Sequence, residues 1–181
     1  MEEYHITAEN IYNVDEKGFL IGIGSKMRRI MTREAYEQGR CQQLSQDGNR
    51  EFITLIACVS ALGIAIPPTL LYKGQSKDLQ DTWVQKLGDD DNPVFGVTEN
   101  GWTNDAYGMK WLQEVFEPAT RPIRATTKRL LIVDGHSSHV NLRFIEWANQ
   151  HSIIILILPP HSTYQLQPLD LNCFLPLVTK Y

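Results

Sequence analysis

A mixed α/β layer is the fold class this sequence predicts. Strand-like runs come first, at Ile11–Ile23, Arg50–Ala61 and Ala65–Tyr72, and helical and strand-like segments then alternate. The later apolar runs, RLLIV and IIILIL, are continuous rather than alternating, as in strands covered on both faces.

Taken in order, IYNVDEKGFLIGI reads as a strand pair, with Glu16, Lys17 and Gly18 at the turn. Residues 25–49 are polar and basic, carrying Lys26, Arg28, Arg29, Arg33 and Arg40, and read as a loop or insert. REFITLIACVSA is a strong apolar strand, Gly63 marks a turn, and AIPPTLLY returns beside it. Prolines in that run favour an edge or a strand start. Lys73–Thr103 reads as a long connection that includes the acidic run Asp89, Asp90, Asp91, a solvated loop. From Asn104 to Phe116, Tyr107, Trp111, Leu112, Val115 and Phe116 fall at helical spacing, with Asn104 as N-cap.

Arg129–Asp134 is the next strand and Asn141–Gln150 the next helix, with Leu142, Ile145 and Trp147 among its apolar positions. Trp111 and Trp147 read as core residues on their helices. Ile153–Leu158 is a strand closed by Pro159 and Pro160, and a final helix starts near Pro168. The continuous strands are expected at the centre of the sheet.

The chain has 181 residues, enough for one domain with a sizeable core, and 43% of them are hydrophobic. A formal charge of −4 argues against a nucleic-acid binder held by phosphate neutralisation alone. It leaves room for a domain that meets phosphodiesters through metal ions, since the ligands are themselves carboxylates. Cys41, Cys58 and Cys173 lie far apart without a CxxC pair, which favours a reducing compartment. No apolar run approaches the length of a membrane span, and MEEYHITAEN lacks a secretory signal pattern. The ending, LNCFLPLVTKY, reads as an uncapped helix, so a chain truncated at its C-terminus is expected.

Three aspartates then stand out. Asp15 lies on the first strand, Asp134 at the tip of RLLIVD, and Asp170 early in the last helix. Thirty-five residues separate the last two, holding one helix and one strand, so the chain can return Asp170 to the same end of the sheet. Taken singly, Asp134 also reads as a turn former or N-cap and Asp15 as a hairpin residue. Glu16 reads as exposed, or as a neighbour of the ligand set.

The ordered segments NIYNVDEKGF, NREFITLIACVSALG, PPTLLYKG, GWTND, LLIVDGHSSH and LPPHSTYQLQPLD followed by CF carry a resemblance. With them the chain resembles the catalytic domain of the DDE superfamily endonucleases, in the pogo branch of the mariner-like transposases, with centromere protein B and jerky relatives. The resemblance implies an RNase H-like fold: a five-stranded mixed sheet, its first three strands antiparallel, with helices on both faces. It implies an Asp15, Asp134, Asp170 triad holding two Mg²⁺ (or Mn²⁺) ions, Asp15 bridging both. It further implies metal-dependent cleavage and strand transfer of DNA, a nuclear protein without membrane association, and paired subunits as a homodimer. A chain lacking the N-terminal helix-turn-helix DNA-binding domain that transposases of this kind use to find their ends is expected.

Other readings stay beside this one. A domesticated, non-catalytic transposase module acting in DNA or protein binding is the alternative, and a metal phosphohydrolase for small substrates a third. His136, His139 and His161 suggest a zinc set short of its usual ligand count. They read rather as ordering their loops or approaching the DNA backbone, as does Gln167. Gly22 and Gly24 form half a dinucleotide fingerprint and read as a strand end.

Overall fold

The computed structural model describes residues 4, 6–21, 51–75, 87–88, 92–124, 127–134, 141–159, 166–174 and 176–177. The basic insert, the Gly22/Gly24 pair, Asp89–Asp91, and the loops with His136, His139 and His161 lie outside them.

Among the described residues six strands form one mixed sheet: β1 Ile11–Ile21, β2 Glu51–Ser60, β3 Thr69–Lys73, β4 Val94–Thr98, β5 Arg129–Val133 and β6 Ile153–Ile157, in the order β4-β3-β2-β1-β5-β6. The first three pair antiparallel, β1 with β2 and β2 with β3. The remaining contacts, β3 with β4, β1 with β5 and β5 with β6, are parallel. This is the mixed α/β, RNase H-like arrangement that the sequence led us to expect, with one strand more. The addition, β4, is the five-residue run VFGVT inside what reads as a connection. It docks as a parallel edge beside β3.

The first segment is a correction. Ile11–Ile21 is one eleven-residue strand, not a hairpin, and it pairs with β2 along its length from Tyr12 to Ile21. Glu16, Lys17 and Gly18 therefore lie within the strand. Gly18 is there because the Phe52 ring crosses it: a Cβ on Gly18 would sit 2.1 Å from the tip of that ring. Glycine in a strand marks close approach as readily as a turn. Gly63, by contrast, is a true turn glycine at φ +81°.

Two layers of helix cover the sheet. On the Tyr12 face lies a continuous helical stretch: α1 Asp105–Trp111, a π-helical stretch Leu112–Phe116, and α2 Glu117–Thr120. Asn104 caps it, its side chain accepting from Tyr107 N at 2.9 Å. The GWTND stretch is the joint that delivers the chain into this helix. Thr54 Oγ1 donates to Gly101 O at 2.7 Å and Thr98 Oγ1 to Trp102 O at 2.9 Å. Trp111, Leu112, Val115 and Phe116 pack with Tyr12, Leu131, Val133 and Ile153, and Tyr12 meets Phe116 edge-on at 5.3 Å. Helix α3, Leu142–Gln150, adds Phe144 and Ala148 to this core.

On the opposite face lies the π-helical segment Leu169–Phe174, where Lys17, two strand positions from Asp15, sits 5.7 Å from the Phe174 ring centre. Trp111 is buried, as read from sequence, whereas Trp147 is half-buried and stacks on His151 at 3.6 Å. Leu142 is 70% exposed, so it does not belong to the buried face of α3. The placement of IIILIL also changes. Among the described residues β6 is an edge strand with β5 on one side only, and its Leu156 and Ile157 are exposed.

Candidate functional site

Strands β1 and β5 run parallel with Ile11 opposite Leu130, Tyr12 opposite Leu131 and Asn13 opposite Ile132. Carried two residues on, this register sets Asp15 level with Asp134, the residue that follows β5. Strand β5 ends here, and the C-terminal end of a parallel strand is the usual place for polar side chains in α/β sheets, whereas β1 runs on to Ile21 beside β2, so Asp15 stands mid-strand next to the tip of β5. Oδ1 of Asp15 accepts from Glu16 N at 2.8 Å, which fixes the carboxylate's rotamer, and its Oδ2 is shielded from solvent. Asp134 is partly buried.

The third element lies on the face of β1 that carries Asn13 and Asp15, opposite the Tyr12 face. Leu169 N donates to Asn13 Oδ1 at 3.3 Å, so the backbone just before Asp170 is tied to β1 two residues before Asp15. Gln167 closes the contact from the other side, its Nε2 donating to Val14 O at 3.1 Å. The Asp170 backbone is thus held in the π-helical segment beside β1. The side chain of Asp170 lies outside the described set, and among the described residues no three His, Cys, Asp or Glu side chains converge as a metal cluster.

Sequence reading missed Asn13. An asparagine two places before an aspartate on a strand looks like an ordinary polar position, and only the return of the distant 167–169 segment reveals it as 4% exposed and fully engaged. Gln167, read as a loop or DNA-facing residue, is instead completely buried.

Two other chemistry-bearing features are structural. Cys58 is buried on β2 and burial pushes its thiol well above the usual range, which removes it as a nucleophile. At the opposite end of β5, Arg129 is 2% exposed and donates to Thr120 Oγ1 at 2.9 Å, Glu117 O at 3.3 Å and His151 O at 2.8 Å. Glu117 also takes both Arg121 Nε and Nη2, at 2.9 and 2.6 Å. Those bonds lower the Glu117 pKa against a burial that would raise it, while burial lowers that of Arg129. A groove of about 830 Å³ between β4 and α1, lined by Phe95, Thr98, Asn104, Tyr107 and Lys110, lies at the far edge of the sheet from β5. Burial there pushes the Tyr107 hydroxyl up to about 12, and among the described residues the groove gathers no carboxylate cluster.

A mixed sheet of this order, antiparallel over its first three strands and parallel beyond them, is an RNase H-like α/β domain. The chain belongs to the DDE superfamily endonucleases, whose family model matches residues 49–181. It is also 36% identical over 186 residues to a Cochliobolus lunatus protein named MFS-type transporter clz9. That match covers 99% of this chain and 19% of the relative, so the chain spans about a fifth of that protein's length. No solved structure matches it. Among the described residues no helix is long and apolar enough to cross a membrane.

Proposed function

We propose that this chain is the catalytic domain of a transposase-like DNA endonuclease of the pogo branch, acting on nuclear DNA. In this reading Asp15, Asp134 and Asp170 hold two Mg²⁺ ions for phosphodiester cleavage and strand transfer. The observation that carries it is the β1–β5 register, which aligns Asp15 with Asp134 while Leu169 is bonded to the same strand.

The donor set fits the ion. Mg²⁺ takes hard oxygen ligands, uses few carboxylates and completes its shell with water and phosphate. When bound, a metal pair supplies an activated water and charge stabilisation at both ends of an in-line displacement. The protein's part is positional. The Glu16 N–H holds Oδ1 of Asp15, β5 carries Asp134 to the sheet edge, and the Asn13 contact holds the start of the segment bearing Asp170. The −4 net charge accords with this, since phosphate would be met through cations and not through a basic surface.

The test is calorimetric titration of Mg²⁺ and Mn²⁺ into the wild type and Asp134→Asn. Binding lost in the variant, with the metal-free thermal midpoint unchanged or raised, is expected, because one of several clustered like charges is removed. Metal-dependent nicking of DNA should disappear in the same variant. Equal binding in both proteins, or strong destabilisation of metal-free Asp134→Asn, would make the aspartate structural and leave the fold as a binding module.

A further inference from the structure

The three segments that carry the aspartates share one residue. Asn13 Nδ2 donates to Ile132 O at 3.3 Å, two residues before Asp134. The same nitrogen donates to Gln167 Oε1 at 3.4 Å, and Oδ1 accepts from Leu169 N at 3.3 Å, one residue before Asp170. Asn13 itself stands two residues before Asp15 on the same face of β1. Gln167 returns the contact by donating to Val14 O at 3.1 Å, directly before Asp15. Every bond in this set ends on a neutral amide or a backbone group.

A buried amide pair has strict geometry and no charge. A carboxamide donates and accepts at fixed angles, so it can hold a backbone N–H and two acceptors in one plane. Apolar packing could bury the same volume without fixing the distance between the segments. With Asn13 4% exposed and Gln167 fully buried, any displaced partner would leave a polar group unsatisfied away from water, which makes the arrangement steep to distort.

We infer that Asn13 and Gln167 form a positioning clamp that sets the spacing of Asp15, Asp134 and Asp170 as divalent-metal ligands. The inference rests on the triad reading above and adds residues that do not themselves touch the ions. Groups behind the ligands orient them, and their loss typically costs 10–100-fold in metal affinity.

The experiment titrates Mn²⁺ calorimetrically into the full chain as wild type, Gln167→Met, Asn13→Leu and Asp134→Asn. Thermal unfolding and Leu169 amide exchange are followed without metal. Gln167→Met keeps the length of the side chain and leaves Asn13 bonded to Ile132 O and Leu169 N, so it carries the test if Asn13→Leu does not fold. Folded clamp variants are expected to bind Mn²⁺ at least about tenfold more weakly, with thermal midpoints lowered by the buried polar groups left unsatisfied. The Leu169 amide should exchange faster in Asn13→Leu. A merely structural pair would lower the midpoint and leave Mn²⁺ affinity intact. Wild-type affinity in folded Gln167→Met, with binding lost in Asp134→Asn, overturns the clamp and spares the triad. Absence of any Asp134-dependent binding in the wild type overturns both.

Discussion

Strand β5 has a buried polar network at each end, and the two are built on opposite principles. At its start Arg129 and Glu117 bring opposite charges within 3.9 Å, and Thr120, Arg121 and the His151 carbonyl complete the set. Near its end, Asn13 and Gln167 use uncharged amides to join β1, β5 and the 167–169 segment. Roughly 16 Å of strand separates Arg129 from Asp134 at the usual rise per residue. The first network joins helices to sheet and is sensitive to protonation. The second contains nothing that titrates, so it can hold carboxylates in place without adding charge to the collection. Stability and geometry are assigned to different ends of one strand.

The largest test of this division is Arg129→Met. It strips a buried cation from Glu117 and from three oxygen acceptors, and removing one partner of such a pair costs about 3–5 kcal/mol. The lower end is expected, because Arg121 still holds Glu117. Urea unfolding measures the loss, and Mn²⁺ affinity of the folded fraction should not move. If it falls with stability, the two ends are coupled and the division fails.

The next effect is acid dependence. The Glu117 carboxyl is held below its ordinary range, first by the hydrogen bonds from Arg121. The unfolded chain therefore takes up this proton at higher pH than the native one. The stabilisation is fully present above the ordinary glutamate value and is lost as pH falls through the depressed one. Unfolding midpoints of wild type and Glu117→Gln, compared from about pH 7 to about pH 3, should converge toward the acid end. A gap that stays constant would show that Glu117 acts by shape alone. Smallest is Thr120→Val, which removes the hydroxyl that donates to Phe116 O at 2.7 Å and accepts from Arg129. A loss of about 1 kcal/mol is expected, with metal binding untouched.

How much of this could be read from residues alone follows the range of the signals. RLLIVD announced β5 and the position of Asp134, because a continuous apolar run ending on a charge is a local pattern. Asn104 announced the helix start that it caps, accepting from Tyr107 N, whereas Asn141, read as the first residue of its helix, proved to be the cap, accepting from Phe144 N. The hairpin reading of β1 failed because Lys17 and Gly18 mimic turn chemistry, whereas the glycine answers to Phe52 on the neighbouring strand. VFGVT was too short and too interrupted to separate from the connection around it. IIILIL was placed centrally because composition says how apolar a strand is but not how many neighbours it has. Asn13 was silent for the deepest reason: its partners Ile132, Gln167 and Leu169 lie more than a hundred residues away.

That distance has a consequence for the order of events during folding. Between β1 and β5 the chain carries β2, β3, β4 and the α1–α2 helical stretch, so their pairing is a long-range closure, and such closure is slow compared with local structure. Asp15 and Asp134 are strangers until that step. A metal site built on them comes into being only with the finished sheet, so a nascent or half-folded chain carries its carboxylates as harmless, scattered charges. Metal affinity would then serve as a clock for completion: in a refolding experiment it should appear with the last kinetic phase and not with the first.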